Sequence, residues 1–160
     1  MDLVRFNALP DRSAVAELTS CCSSPSWAAR MASSRPFATV AELIRCADLV
    51  LTELDDDEVN AALAGHLRIG EHPVHESSRR EQAGIAIADA SLRTALARAN
   101  RDYEARFGHV YLVCADGRSG EELLGVLRER LGNDAATERR VLRDELVKIN
   151  RIRLARLVGA

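Results

Sequence analysis

Residues 65 to 84, GHLRIGEHPVHESSRREQAG, gather many of the side chains in this 160-residue chain that could move a proton or hold a metal ion. Three of the four histidines, His66, His72 and His75, lie there, together with three glutamates and two serines. Imidazole titrates near neutral pH and also ligates metals, and carboxylates accept protons and hydrogen bonds. The segment is therefore typical of a metal site, of an acid–base site, or of a solvated loop followed by a helix cap.

His66 continues the apolar stripe Val59, Ala62 and Leu63 of a predicted helix, at the helix end that carries negative partial charge. One interpretation is a histidine at the edge of the core, whose cation that helix end would stabilise. The other is a histidine in the wall of a pocket, able to donate or accept a proton. The spacing alone favours the core-edge histidine and leaves the pocket open.

The stretch Ser78-Arg-Arg-Glu81-Gln82 also has two interpretations. The pattern S-x-x-E is a capping box, in which a serine and a glutamate bond the free backbone N–H groups that begin a helix. Ser78, Glu81 and Gln82 also share one helical face beside those N–H groups, so they suit the lining of a polar pocket. The local pattern favours the cap and leaves the pocket open.

His72 and His75, flanked by Glu71 and Glu76, suggest a metal site because both side-chain types ligate metals. The spacing H-x5-H-x2-H, counted from His66, matches neither HExxH nor another compact helical site. We therefore expect these two histidines to face solvent, and we expect no metal ion.

Arg153 lies on the apolar stripe of the last predicted helix, with Leu142, Leu146 and Ile149. One interpretation, which structural precedent favours, is that its long stem covers apolar surface while the guanidinium reaches water. In the other, the guanidinium fork holds a carboxylate or a carbonyl group of a substrate in a buried site.

Helices must position these groups, because alanine and arginine are abundant and most element boundaries carry helix start signals. Val110 to Ala115 is the only strand-like run, and it is equally consistent with an extended buried segment. We predict an all-α, single-domain bundle of about seven to nine helices over residues 1–160. The predicted helices are Asp11 to about Cys21, Trp27–Ala32, Val40–Leu51 behind a Thr39/Glu42 capping box, Asp55–His66, Ser78–Asn100 with a possible continuation to Arg106, Glu121–Leu131 and Thr137–Leu157.

Composition and charge argue against several classes of partner. The formal net charge of −2 gives no basic surface for nucleic acid, so we expect none to bind. The longest apolar run, Val110 to Ala115, is far shorter than the roughly 20 residues that span a bilayer, so we expect no membrane association. The four cysteines form no C-x-x-C pair, which favours reduced thiols in a cytoplasmic protein.

Short elements in the same order along nearly the whole chain resemble the OHCU decarboxylase family. OHCU is 2-oxo-4-hydroxy-4-carboxy-5-ureidoimidazoline. The elements are Phe6-Asn-Ala-Leu9, Trp27-Ala-Ala-Arg30, Arg35-Pro-Phe37, His66-Leu-Arg-Ile-Gly70, Ser78-x-x-Glu81-Gln82-Ala-Gly84, Asn100-x-x-Tyr103-x-x-Arg106-Phe-Gly108, and Lys148-Ile149 with Ile152-Arg153-Leu154.

The resemblance implies an all-α homodimer that converts OHCU to (S)-allantoin and carbon dioxide late in urate breakdown, with no cofactor. It implies that His66 is catalytic and that Glu81 lines the substrate pocket, where we also expect a catalytic part for it. The small-molecule ureidoimidazoline substrate would be bound by Ser78, Gln82, Arg153, Leu67 and the segment with Tyr111, Leu112 and Val113.

Two positions depart from the family pattern. Leu67 stands where the family has proline, and His109 stands where it usually has an aromatic residue. Proline fixes its own backbone and restricts the residue before it, so Leu67 leaves the orientation of His66 less constrained. A second function therefore stays open, that of a non-catalytic or substrate-shifted helical relative acting as a binding module.

Overall fold

A computed structural model describes residues 1–64, 66, 68–69 and 90–160 of the chain. These residues form eight helices and no strand, which confirms the predicted all-α class. The helices are α1 Leu3–Asn7, α2 Asp11–Cys21, α3 Pro25–Ser33, α4 Val40–Thr52, α5 Asp56–Leu63, α6 Ala90–Phe107, α7 Gly120–Arg130 and α8 Ala135–Leu157.

The chain divides into two compact units. The first comprises Met1–Gly65 and Val147–Ala160, and the second comprises His66–Leu146. Helix α8 contributes its first half to the second unit and its last residues to the first. A single domain over residues 1–160 stays a prediction.

Local capping explains why several helices begin where the sequence predicts. Asp55 and Glu58 form a full capping box at α5, because each side chain accepts the other residue's backbone N–H, at 2.8 and 3.1 Å. The Thr39 hydroxyl accepts the Glu42 N–H at 3.1 Å. The Glu42 carboxylate accepts from Ala38, one residue earlier than the predicted box requires.

Other boundaries differ from the prediction. Helix α1 was not predicted, although Asp2 caps it by accepting the Arg5 N–H at 2.8 Å. Helix α3 begins before Trp27, because the Ser24 hydroxyl caps it and Pro25 takes the first helical position. Helix α6 continues past Asn100 to Phe107, and the positive φ of Gly108, 77°, suits the residue after a helix end.

The first unit packs around the single tryptophan of the chain. Trp27 is fully buried, and its indole N–H donates to the carbonyl oxygen of Ala47 on α4 at 3.2 Å. Arg35 ties α1 to this core, since its guanidinium donates to the carbonyl oxygens of Phe6 and Leu9 at 3.1 and 2.7 Å. Its Nε atom also donates to the Ala32 carbonyl oxygen at 3.0 Å, so Arg35 pairs backbone carbonyls at or just beyond the ends of α1 and α3.

The second unit packs α6 and α7 around the segment between them. Residues 110–115 are neither helix nor strand, which agrees with the extended buried segment and not with the strand. Tyr111, Val113 and Ala115 of this segment lie in one apolar cluster with Leu96 and Leu123. Within the described ranges, no helix has the length and apolarity that crossing a membrane requires.

Candidate active site

His66 lies beyond the helix that was predicted to carry it. Helix α5 ends at Leu63 with Ala64 as its cap, so the predicted helix Asp55–His66 is too long and His66 is not on its apolar face. The ring is half-buried, and its Nε2 atom is shielded from solvent. A helix-end position therefore does not account for the environment of His66.

Two residues of α6 hold the chain just after His66. Arg68 donates to both carboxylate oxygens of Glu104, from Nε at 2.5 Å and from Nη2 at 2.9 Å. These hydrogen bonds hold the pKa of Glu104 below its ordinary value. The Asn100 amide donates to the carbonyl oxygen of Ile69 at 3.0 Å. Asn100 belongs to the N-x-x-Y element of the sequence, and its contact anchors the backbone three residues after His66.

Six of the residues singled out in the sequence lie outside the described residues. They are Leu67, Ser78, Glu81 and Gln82 of the expected pocket, together with the histidine pair His72 and His75, whose metal interpretation also falls there. Among the side chains that the structure describes, no three of His, Cys, Asp and Glu lie close enough together to hold a metal ion.

Tyr111, Leu112 and Val113 are all buried in the second unit. Side chains of the flanking helices fix their backbone and rings. The Arg130 guanidinium donates to the Leu112 carbonyl oxygen at 2.7 Å, and the Glu145 carboxylate accepts the Cys114 N–H at 2.7 Å. The Arg130 guanidinium carbon also lies 4.8 Å from the centre of the Tyr111 ring.

Arg130 belongs to a buried polar cluster with Glu138 and Tyr103. Its Nε and Nη2 atoms donate to Glu138 Oε1 at 2.9 and 2.5 Å, and the Tyr103 hydroxyl donates to the same oxygen. Asn133 donates to the other carboxylate oxygen at 2.9 Å. Burial alone would raise the pKa of Glu138, but these hydrogen bonds outweigh it and hold the pKa below its ordinary value. Glu138 is therefore a buried anion paired with a buried cation.

The sequence reasoning missed Arg130 and Glu138 as functional candidates. A signal for Arg130 was present, since it continues the buried stripe Leu123 and Leu127 of α7, as Arg153 continues the stripe of α8. An arginine on an apolar stripe needs a buried partner or a route to water.

Arg153 lies in the first unit, and its residue surface is only 9% exposed. The interpretation that its guanidinium reaches water is therefore wrong, because the side chain is enclosed. Its Nη1 atom donates to the carbonyl oxygen of Cys21, at the end of α2, at 3.1 Å. Burial raises the pKa of the Cys21 thiol to about 11 and also raises that of the Cys22 thiol. Both sulfurs near neutral pH are thiols and not nucleophilic thiolates.

His109, one of the two departures from the family pattern, takes part in an aromatic cluster. Its ring lies edge-on to Tyr103 with centroids 5.5 Å apart, and it stacks on Phe107 with centroids 6.2 Å apart. An imidazole ring is flat and aromatic, so it fills the place of an aromatic residue.

Described residues of the second unit line one cavity of about 650 Å³ and another of about 360 Å³. The smaller one is bordered by Arg68, Arg93, Arg101 and Glu104. Neither is lined by His66 or by the segment Tyr111–Val113. The structure thus places His66 and Tyr111–Val113 in the second unit and Arg153 in the first.

Residues 7–155 match the model of the OHCU decarboxylase family. A uric acid degradation bifunctional protein of Arabidopsis thaliana is 28% identical, over 86% of this chain and 45% of that protein. A 2-oxo-4-hydroxy-4-carboxy-5-ureidoimidazoline decarboxylase of Amia calva is 36% identical, over 60% of this chain and 55% of that protein. The chain therefore spans about half the length of these two curated relatives.

A solved structure is similar over nearly its whole length. It is a crystal structure of OHCU decarboxylase in the presence of (S)-allantoin, with a TM-score of 0.82 and 30% identity. The match covers 90% of this chain and 98% of that one. Since the family model spans almost the whole sequence, the chain belongs to the OHCU decarboxylase family.

Proposed function

We propose that this protein is a lyase that decarboxylates OHCU to (S)-allantoin and carbon dioxide in urate breakdown. The observation that carries the proposal is the similarity to an OHCU decarboxylase crystallised with (S)-allantoin, which this chain covers over 98% of its length. The family match over residues 7–155 supports the same reaction.

The reaction needs a defined pose more than it needs a cofactor. When the bond to the carboxylate carbon breaks, its electron pair passes into the heterocycle, whose ring nitrogen functions delocalise it, and carbon dioxide leaves. A proton then adds to the ring. The protein's task is to hold a flat, urea-rich ring in one orientation and to supply that proton from one side. Delivery to one face accounts for the formation of a single allantoin enantiomer.

His66 is the proposed proton donor and the residue that orients the departing carboxylate, with Glu81 accepting hydrogen bonds from the hydroxyl or the ureido N–H groups. An imidazole titrates near neutral pH, so it can hold a proton and release it to the ring. The half-buried position of the ring and the shielding of Nε2 support this role, because a group that acts on an enclosed substrate lies out of bulk water.

Substrate binding is assigned to Ser78, Gln82, Arg153, Leu67 and the segment Tyr111–Val113. The contacts of Arg153 support its part, since a buried guanidinium held against the Cys21 carbonyl is fixed in orientation before substrate arrives. Its planar fork suits a carboxylate or a urea carbonyl. The hydrogen bonds that hold the backbone of Leu112 and Cys114 support a binding role for Tyr111–Val113, because they fix this backbone before substrate arrives.

We also propose that the protein works as a cytoplasmic homodimer. Four free cysteines, two of them buried side by side, suit a reducing compartment. The dimer follows from the family resemblance, and light scattering on the eluted protein tests it directly.

The assay for the proposed function supplies freshly generated OHCU and follows the circular dichroism of (S)-allantoin against spontaneous decay. A faster appearance of the (S) enantiomer, unaffected by a metal chelator, is the expected result. A rate equal to spontaneous decay contradicts the proposal. If the protein binds (S)-allantoin without turnover, the second function, a non-catalytic relative with Leu67 in place of the family proline, takes its place. Activity that is lost to the chelator and restored by zinc would instead assign a metal role to His72 and His75.

A further inference from the structure

Residues 110–115 lie in the connection between α6 and α7, and they belong to neither a helix nor a strand. Two buried side chains hold them. Arg130 donates to the Leu112 carbonyl oxygen, and Glu145 accepts the Cys114 N–H, each across 2.7 Å. These two contacts fix the peptide groups on either side of Val113.

Peptide geometry sets the direction of the Val113 groups. In a planar trans peptide, the C=O and the following N–H point in opposite directions. The only cis peptide among the described residues is Arg35–Pro36. With the Leu112 C=O directed at Arg130, the Val113 N–H points away from Arg130. With the Cys114 N–H directed at Glu145, the Val113 C=O points away from Glu145.

Val113 itself is 3% exposed, and within the described part of the chain neither its N–H nor its C=O enters a hydrogen bond. Buried backbone donors and acceptors are almost always paired in proteins. A molecule with an adjacent N–H donor and C=O acceptor would pair both groups, and a ureide has that arrangement.

We propose that Arg130 is a positioning residue, which orients the Val113 backbone as a donor–acceptor pair for the ureide of the substrate. The inference rests on the proposed function, and it assigns to Arg130 and Glu145 a part that the family resemblance does not imply.

The buried polar cluster with Glu138 and Tyr103 holds the Arg130 guanidinium in a fixed orientation. Its guanidinium is held by Glu138 through two of its nitrogens, while a third nitrogen holds the Leu112 carbonyl. Glu138 is held in turn by Tyr103 and Asn133. A lysine ammonium is a point charge without the planar fork, so it cannot keep Glu138 and the Leu112 carbonyl together in this geometry.

The test compares Arg130→Lys with wild type in two measurements on the full chain. One is steady-state decarboxylation of OHCU, and the other is titration of ¹⁵N-labelled protein with (S)-allantoin, read at the Val113 amide. We expect KM to rise about three- to tenfold, the range for one hydrogen bond, and the Val113 amide response to shrink. A merely structural role would reduce the folded, active fraction and leave KM unchanged.

Arg128→Lys is the matched control, because Arg128 is an exposed arginine on the same helix as Arg130. Its KM and Val113 response should equal those of wild type. Should Arg130→Lys fail to fold, a second pair of variants tests the same role. Glu145→Leu removes the acceptor of the Cys114 N–H and should raise KM. Glu145→Gln keeps an acceptor at this position, so its KM should stay near the wild-type value.

Two results would overturn the inference and can be told apart. If wild type makes (S)-allantoin while the Val113 amide is silent, or if folded Arg130→Lys and Glu145→Leu keep the wild-type KM, the positioning role is refuted and the decarboxylase function stands. If wild type neither turns over OHCU nor binds (S)-allantoin, the proposed function fails and the positioning role fails with it.

Discussion

The guanidinium of Arg153 and the backbone of Cys21, 132 residues apart in the chain, are joined by a hydrogen bond of 3.1 Å. The bond uses one of the nitrogens of Arg153 and fixes its plane at the end of α2. At this contact Arg153 is held by a backbone carbonyl group.

Arg153→Lys should weaken substrate binding strongly and change the fold little. Losing hydrogen bonds from a charged fork should raise KM for OHCU, and Kd for (S)-allantoin, by about ten- to hundredfold. Arg151→Lys is the control on the same helix. Arg151 pairs with Asp48 at 2.7 Å, and its side chain is 54% exposed. A KM that rises equally in both variants would contradict a specific role for Arg153.

Glu138→Gln should change how stability depends on pH. The folded pKa of Glu138 lies below its ordinary value of 4.5. Its stabilising contribution is therefore fully present above pH 4.5, and it is lost as the pH falls toward the lower folded pKa. Near neutral pH, the free energy of unfolding of wild type should exceed that of Glu138→Gln by about 3 kcal/mol. This difference in free energy should become smaller below pH 4.5.

Urea unfolding at several pH values measures this gap. Glu129→Gln, on the exposed side of α7, is the control and should leave the profile unchanged. A gap between wild type and Glu138→Gln that stays constant on acidification would mean that the carboxylate is not the stabilising form.

Arg35→Lys should destabilise the first unit. The Arg35 side chain is 7% exposed, and it donates to the carbonyl oxygens of Phe6, Leu9 and Ala32. A lysine cannot span these acceptors, so the free energy of unfolding should fall by about 1.5–3 kcal/mol. Fluorescence of the buried Trp27 during urea unfolding reports the change.

Arg30→Lys provides the comparison for Arg35. Arg30 pairs with Glu53, and the two side chains are 42% and 61% exposed. Exposed pairs contribute at most about 1 kcal/mol. If Arg35→Lys lowers the free energy of unfolding no more than Arg30→Lys does, the hydrogen bonds of Arg35 to α1 do not stabilise the first unit.

Much of the helical framework could be predicted from the sequence, because helix starts depend on neighbours within four residues. Asp55 with Glu58 and Thr39 with Glu42 are examples. The end of α5 was placed too late, since apolar spacing carried the pattern to His66 although the helix stops at Leu63. The spacing of apolar residues indicates which residues share a helix face. It does not indicate where the backbone hydrogen bonds of the helix end.

The site was less predictable from spacing. Arg130 reaches the Leu112 carbonyl 18 residues away, and this pairing depends on how α7 packs against the preceding segment. The choice of His66 and Arg153 came from family resemblance and not from local pattern, which favoured a core-edge histidine and an arginine that reaches water. The structure overturns the second of these local interpretations, because Arg153 is buried.

The buried thiols should be slow to react. Burial raises the pKa of Cys21 to about 11 and also raises that of Cys22, so both stay protonated in mildly alkaline buffer. The half-buried Cys46 should be alkylated by iodoacetamide before either of them, as read by mass spectrometry of the peptides. All four cysteines should react in denaturant. Alkylation of Cys21 at the rate of Cys46 in the native protein would contradict its burial.

The most direct test of the central claim gives wild type and His66→Asn the same freshly generated OHCU and follows the circular dichroism of (S)-allantoin. Wild type should form the (S) enantiomer well above the spontaneous rate. His66→Asn should lose about 10²–10⁴-fold in turnover while keeping the helical signal of the folded protein. Stereoselective decarboxylation at the wild-type rate by His66→Asn would contradict the assignment of His66 as the proton donor.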